Sequence, residues 1–138
     1  MQTFEKNIIV SKDNLDELNH VNNVRYVQWI QDIAKEHWQT YASEEIQESV
    51  VWVVMNHNIT YKHAAIEGDQ IKMHTYIKSN SGATCLRVVE MHNTKTNQLL
   101  LYSETKWCLL NAQNFRPTRI SKEIVQIFRS KEEADRAK

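Results

Sequence analysis

The chain has 138 residues, with 17 Lys and Arg, 17 Asp and Glu, and a formal net charge of zero. A single domain of this length buries enough apolar surface to fold without disulfides or structural metals. The balanced charge argues against a general nucleic-acid-binding protein, which carries a basic face, and it does little to keep copies of the chain apart, so we expect self-association.

The first predicted elements are a short strand and a long helix. Residues 4–10 are predicted as the strand, and a polar segment follows it. Asn22 or Asn23 is predicted to cap a helix that extends to Tyr41. Because apolar residues cover more than half of the circumference of this helix, other elements must pack around it. Residues 42–49 are polar and are predicted to form a loop.

The second half of the chain is predicted to be a meander of strands. From Val50 the apolar residues recur with a period of two, which indicates β-strands. Turn-forming segments separate these strands, and both glycines lie in them, within Glu67-Gly68-Asp69 and Ser79-Asn80-Ser81-Gly82. The later predicted strands cover residues 71–78, 85–91 and 99–110.

The chain ends in a predicted short helix and a tail. Ser121 is expected to cap the helix, and residues 130–138 form a charged tail that is expected to fray. A strand, one long apolar helix and four antiparallel strands predict a single α+β domain over residues 1–129, with the sheet rolled around the helix. The open edges of such a sheet are places where protomers can pair.

Two further features bear on location. Cys85 and Cys108 lie inside apolar runs far apart in the sequence, so buried free thiols are expected rather than a disulfide or a metal site. No segment approaches the ~20 apolar residues of a membrane span, and the N-terminal residues lack the apolar stretch of a signal peptide. These features predict a soluble cytoplasmic protein that does not enter a membrane.

Residues 13–23 are the most informative segment, because carboxylates, an imidazole and carboxamides stand together directly before the long helix. A helix N-terminus offers unpaired N–H groups and a partial positive charge, so hydrolytic chemistry can be built there. Taken alone, Asp16 is more simply a turn carboxylate that caps local backbone. His20 either serves catalysis or buttresses the loop. Asn22 and Asn23 are expected to cap the helix.

This segment resembles a known family. Asp16, His20-Val21-Asn22-Asn23 and Tyr26 match hotdog-fold acyl-CoA thioesterases of the 4-hydroxybenzoyl-CoA thioesterase type, and residues 14–30 are also similar to plant acyl-ACP thioesterases. Arg116-Pro117-Thr118-Arg119-Ile120 resembles the C-terminal end of bacterial relatives. The resemblance implies a hotdog fold, with an antiparallel sheet around one long central helix. It also implies hydrolysis of acyl-CoA or acyl-ACP thioesters without a metal or redox cofactor, and a homodimer or homotetramer with sites between protomers.

The resemblance also assigns roles. The family's carboxylate carries over to Asp16, which would activate water or attack directly. The family's oxyanion-binding backbone N–H carries over to Asn23 or its neighbour. The candidate residues are therefore Asp16, His20 and Asn23 for catalysis, and Asn22, Tyr26, Lys78 and Arg87 for substrate binding, the last two as phosphate contacts.

Two departures from the family pattern keep alternatives open. Leu18 stands where the plant enzymes carry an Asn two residues after the catalytic Asp. Residues 79–84 contain no basic side chain, although the benzoyl-type enzymes bind the nucleotide of coenzyme A just before the third long strand. The alternatives are a non-catalytic acyl-thioester-binding hotdog protein and a hotdog dehydratase or hydratase. The dehydratase type has a Gly-Pro turn beside its His, whereas the only proline here is Pro117.

Other chemistry-bearing residues are expected to be structural. Asp32 and Glu36 lie away from the predicted helix start and are expected at the surface. His57 is expected to be an ordinary core or surface histidine, and no zinc site is predicted. The tryptophans are expected in the core, with Trp52 or Met55 as candidates to line an acyl tunnel.

Overall fold

The computed structural model describes residues 2–129, and the predicted charged tail at 130–138 lies outside them. A 3₁₀ turn at Lys12–Asn14 follows the first strand. The strands are β1 (Phe4–Ile9), β2 (Val50–Tyr61), β3 (Gln70–Ser81), β4 (Thr84–Asn93) and β5 (Leu99–Asn111), and the helices are α1 (Asn23–Tyr41), α2 (Glu44–Ser49) and α3 (Lys122–Ile127).

The strands form one antiparallel sheet in the order β1-β3-β4-β5-β2, so β1 and β2 are its edges. The sheet packs against α1, where Ile30 and Ile33 are fully buried together with Met73 and Met91. The predicted α+β arrangement, with a sheet around one long helix, is confirmed.

The helix begins where a cap residue was predicted. The side chain of Asn22 accepts a hydrogen bond from the Val24 N–H (2.9 Å), which satisfies one of the free N–H groups of the first turn. The buried positions of α1 recur three or four residues apart, from Tyr26 through Ile30 to His37. This spacing turns a continuous stripe toward the sheet.

Two local predictions are wrong. Residues 42–49 contain α2 instead of only a loop, because the Ser43 hydroxyl accepts from the Ile46 N–H (3.2 Å) and Glu44 lies in the first helical turn. The strand β3 continues through Ser81, so the turn before β4 consists of only Gly82 and Ala83. Gly82 takes a positive φ of 61° there, which glycine adopts without steric cost.

The cysteine prediction is confirmed, since Cys85 and Cys108 are both free and buried. Among residues 2–129, no helix combines the length and the apolar character needed to cross a membrane.

Candidate active site

The loop before α1 is closed by its own backbone hydrogen bonds. Leu15 and Val21 form an isolated antiparallel bridge, and the Asp16 N–H donates to the His20 carbonyl (2.7 Å). Asn19, at the tip, has a φ of 60°, a left-handed conformation that Asn tolerates better than most residues. The loop therefore presents Asp16 and His20 in a fixed arrangement beside the start of α1.

The Asp16 carboxylate caps this loop with one of its two oxygens. Oδ1 accepts hydrogen bonds from the Leu18 N–H (2.8 Å) and the His20 N–H (3.2 Å). No residue within 2–129 donates to Oδ2, and the side chain is half-buried. Asp16 therefore caps the backbone of the loop with Oδ1, and its Oδ2 is still available for other chemistry.

The first turn of α1 keeps one backbone donor free. The Val24 N–H is bound by the Asn22 side chain, and the Arg25 N–H donates to the Asn22 carbonyl (2.9 Å). The Asn23 N–H donates to no residue that the structure describes. An exposed, unpaired N–H at the positive end of a helix is suited to binding a developing oxyanion.

The other motif residues differ in their surroundings. The His20 side chain is exposed. The Asn22 side chain is committed to the helix cap. Tyr26 is only 3 % exposed, and its ring packs against Trp29 and Tyr61 with centroid distances of 5.7 Å. The structure thus brings Asp16, His20 and Asn22 to one exposed loop and places Tyr26 beneath the surface.

Lys78 and Arg87 do not form one patch. Lys78 lies on the sheet face away from α1, where its Nζ contacts Glu104 Oε1 (2.7 Å), and this hydrogen bond raises the pKa of Lys78. Arg87 is 4 % exposed and contacts His37 of α1. The two cations therefore occupy opposite faces of the sheet.

A cavity of about 510 Å³ lies between the side of α1 and strands β2, β4 and β5. The sequence did not predict it. Trp52 lines the cavity, and its role in an acyl tunnel stays a prediction, whereas Met55 is the extra residue of a β-bulge and is 55 % exposed. Asp32 also lines the cavity, and its Oδ1 accepts an exposed hydrogen bond from Gln28 Nε2 (2.8 Å) on α1, as expected for a surface residue. Its lining includes Gln28, Asp32, Trp38, Trp52, Arg87 and Trp107.

A polar network is buried beside this cavity, and Arg87 is its member on the cavity wall. Arg87 Nη1 is 2.9 Å from His37 Nδ1 and 3.0 Å from Thr75 Oγ1. Burial, together with the nearby Arg87 charge, lowers the pKa of His37 to about 3, and burial lowers the pKa of Arg87 to about 10. At neutral pH, His37 is therefore neutral and Arg87 is charged. The sequence signal for His37 was its place on the buried stripe, four residues after Ile33.

His57 has a structural environment. Its Nδ1 is 2.7 Å from Thr105 Oγ1, and its Nε2 is 3.4 Å from the Gln31 side chain. Burial lowers the pKa of His57, so the neutral ring is favoured in this position between α1 and the sheet. In the part of the chain that the structure describes, no three His, Cys, Asp or Glu side chains are arranged to hold a metal ion.

A basic groove of about 820 Å³ lies beside the β3–β4 turn. Arg119, Lys122 and Arg129 line it together with Ser81 and Gly82, and no acidic residue within residues 2–129 lines it. The sequence interpretation missed this groove, because its cations come from the segment after β5 and are brought to the turn only by tertiary folding.

The comparisons with known proteins agree with this architecture. Residues 1–128 match the family model for the acyl-ACP thioesterase N-terminal domain. Among curated proteins, none matches the chain.

Solved structures with the same fold include three informative neighbours. One is a 4-hydroxybenzoyl-CoA thioesterase variant bound to 4-hydroxybenzoyl-CoA, with TM-score 0.84, 10% identity, and coverage of 94% of this chain and 100% of that one. The probable thioesterase YbaW from Escherichia coli has TM-score 0.77 at 19% identity, covering 89% and 94%. The 12:0-ACP thioesterase from Umbellularia californica has TM-score 0.79 at 15% identity, covering 93% of this chain and 51% of that one. The hotdog fold is thereby confirmed.

Proposed function

This chain belongs to the acyl-ACP thioesterase N-terminal domain family and is a thioester hydrolase, and we propose that its reacting centre consists of Asp16 and the first turn of α1. The observation that carries the proposal is the free Asn23 N–H at the helix start, next to a loop that leaves Asp16 Oδ2 available. A carboxylate and an oxyanion donor are the two groups that thioester hydrolysis needs.

In the proposed reaction the thioester carbonyl oxygen accepts a hydrogen bond from the Asn23 N–H, and this hydrogen bond polarises the carbonyl. Asp16 Oδ2 takes a proton from a water molecule whose oxygen attacks the carbonyl carbon. The tetrahedral oxyanion is stabilised by the helix N-terminus. The carbon–sulfur bond then breaks, the acid leaves, and the thiolate takes the proton. His20, exposed beside Asp16, is proposed to position the thioester sulfur or to return that proton.

A second route has Asp16 attack the carbonyl itself and form a mixed anhydride that water hydrolyses. The two routes differ in where the solvent oxygen enters. A single turnover in ¹⁸O-labelled water labels only the released acid if water attacks the thioester. Label that appears in the Asp16 carboxylate instead assigns the nucleophilic route.

The thiol carrier is proposed to be coenzyme A or acyl carrier protein. The supporting feature is the basic groove of Arg119, Lys122 and Arg129, which suits the phosphates of coenzyme A or an acidic carrier surface. Similar solved structures include one with a CoA thioester and an ACP thioesterase. Removal of two of these charges should raise KM for the carrier-bound substrate and leave kcat unchanged.

The positions of the groove and the loop support a dimer. The Val21 N–H of the loop bonds to the Ala65 carbonyl (2.9 Å), near the start of β3. The groove lies at the other end of β3, at Ser81 and Gly82. A strand of 12 residues separates them by about 36 Å. We therefore propose that a thioester reacting at Asp16 meets the groove of a second protomer.

The edge strand β2 supports the same assembly. Val51 and Val53 are each 36 % exposed on this edge, and unpaired backbone groups of an edge strand favour pairing with another chain. We propose a homodimer, or a homotetramer of two such dimers. Light scattering at assay concentration tests it. The free thiols of Cys85 and Cys108 suit a reducing compartment such as the cytoplasm, which is our proposed location.

The reacting centre is tested with a panel of acyl-CoA substrates from acetyl to palmitoyl, plus benzoyl and phenylacetyl, followed with a free-thiol dye. Asp16→Asn keeps an acceptor at Oδ1 for the loop and removes the carboxylate, so we expect kcat to fall by about 10²–10⁴-fold. Asp13→Asn, an exposed acid of the same segment, is the matched control and should keep wild-type turnover. Equal turnover by both variants would remove Asp16 from the mechanism.

A further inference from the structure

The cavity beside α1 extends away from the proposed reacting centre. It begins near Gln28, about 8 Å along the helix axis from Asn23, and reaches the level of His37, about 21 Å from Asn23, at 1.5 Å per residue. Its walls include Trp38 and Trp52, whose rings meet edge to face at 5.8 Å. An acyl chain that starts at the first turn of α1 and enters this cavity therefore meets Arg87 on the cavity wall.

Arg87 is a buried cation without a carboxylate partner. It is 4 % exposed, and its two contacts through Nη1 are the neutral acceptors His37 Nδ1 and Thr75 Oγ1. Across residues 2–129 no carboxylate lies at ion-pair distance from it. The Phe128 ring, 5.4 Å from the guanidinium carbon, is the remaining partner. Buried charges are normally paired, so this one indicates a missing anion.

The two side chains that form hydrogen bonds with Arg87 both accept from its Nη1 nitrogen. Since Arg87 only donates, His37 accepts at Nδ1 and its Nε2–H donates to Gln2 Oε1 (2.6 Å). Thr75 likewise accepts from Arg87 and donates to the Val88 carbonyl (2.7 Å). Both hydrogens of Nη1 are thus used, while no described residue accepts from Nε or Nη2. Those three N–H donors remain for a ligand.

A second donor without an acceptor lines the same cavity. The Nε1–H of Trp107 is buried and has no partner among the described residues. Trp107 is paired with Cys85 across the sheet, and Arg87 is paired with Thr105, so both donors project from the same sheet face at neighbouring positions. A cation with three N–H donors to spare and an indole N–H without an acceptor suit a carboxylate.

We propose that this cavity binds acyl chains whose far end carries a carboxylate, which Arg87 and Trp107 bind, so that the preferred substrates are monothioesters of long-chain dicarboxylic acids. The inference rests on the proposed function for the position of the thioester. An extended chain advances about 1.2 Å per bond. The span of about 21 Å along the helix, less about 3 Å at each end for the hydrogen bonds to Asn23 and Arg87, corresponds to roughly 12 to 16 carbons.

The other charges of the cavity do not neutralise Arg87. Asp32 lies five residues before His37 on α1, about 8 Å nearer the helix start, and its Oδ1 accepts from Gln28. Lys35 also lines the cavity and adds a second positive charge. The cavity therefore stays positive around Arg87.

The kinetic test compares tetradecanedioyl-CoA (one thioester, one free carboxylate) with tetradecanoyl-CoA. We expect wild-type protein to prefer the diacid thioester by about tenfold or more in kcat/KM, as for hydrogen bonds to a buried charged group. Arg87→Met should abolish this preference, Arg87→Lys should keep part of it, and Trp107→Phe should reduce it. Lys72→Met removes an exposed cation paired with Glu5 and is the matched control, with an unchanged preference.

A binding test does not depend on turnover. Free tetradecanedioate and tetradecanoate are titrated while tryptophan fluorescence is followed, since three tryptophans line the cavity. Tighter binding of the diacid by wild-type protein, lost in Arg87→Met and Trp107→Phe, supports the proposal. This holds even if the protein hydrolyses no thioester, because absence of turnover would refute only the proposed function. Equal binding of both acids by wild-type protein overturns the proposal.

Discussion

The first half of α1 packs apolar side chains against the sheet, whereas the second half packs against a guanidinium. Tyr26, Ile30 and Ile33 belong to a cluster that contains only apolar residues. His37, one turn later, belongs to a network of polar side chains around Arg87. The apolar half fixes the helix start, where the reaction is proposed, and the polar half positions Arg87 on the cavity wall. Stability and substrate selection are therefore expected to depend on different halves of one helix.

Truncation of the apolar half should have the largest effect on stability. Ile30 is 0 % exposed, so Ile30→Ala leaves a cavity and should lower the free energy of unfolding by about 2–5 kcal/mol. Urea unfolding followed by circular dichroism measures it. The preference for diacid over monoacid should persist in the folded fraction, and a loss of that preference would contradict the separation of the two halves.

The polar half should make stability depend on pH. In the folded chain the pKa of His37 is lowered from 6.5 to about 3, so between those values the unfolded state binds a proton that the folded state excludes. Stability is then fully present above pH 6.5 and falls as pH falls toward 3, by up to about 1.4 kcal/mol per pH unit. Arg87 stays charged throughout this range, since its pKa is about 10.

The control for this pH dependence is His37→Gln, whose amide can both accept from Arg87 and donate to Gln2 without titrating. Urea midpoints of wild type and variant are compared at pH 7, 6 and 5. The difference between the urea midpoints of wild type and His37→Gln should narrow or change sign as the pH falls to 5. Parallel curves would mean that His37 does not contribute to acid sensitivity.

The helix start should show a smaller effect on stability and a clear one on catalysis. Asn22→Ala removes the acceptor for the Val24 N–H and should cost about 1 kcal/mol. Because the cap also fixes the neighbouring Asn23 N–H, kcat should fall in addition to this modest loss of stability. Asn22→Asp retains an acceptor oxygen and should restore most of the stability. An unchanged kcat in Asn22→Ala would argue against an oxyanion role for Asn23.

The sequence predicted what depends on local pattern. The cap at Asn22, the helix to Tyr41 and the strand from Val50 follow from side-chain periodicity and capping chemistry, and the structure contains all three. The motif around Asp16 also identified the family. These features need only residues that are close in sequence, which is why they were accessible.

The cavity and its charge depended on tertiary contacts. Arg87 lies on β4, the central strand, where Val88 and Val89 are both fully buried. Polar and apolar residues therefore do not alternate here, and the sequence does not show which side chains face α1. A charged residue was therefore expected to contact phosphate at the surface, as was Lys78. Its actual partners, His37 and Thr75, are distant in sequence, and no local pattern specifies such a contact.

The structure of the Asp16→Asn variant with tetradecanoyl-CoA bound tests the proposed reacting centre most directly. We expect the thioester oxygen within about 3.2 Å of the Asn23 nitrogen, with the side chain at position 16 facing the carbonyl carbon and the acyl chain directed along α1 toward Arg87. A thioester held away from the first turn of α1, with residue 16 turned toward solvent, would contradict it.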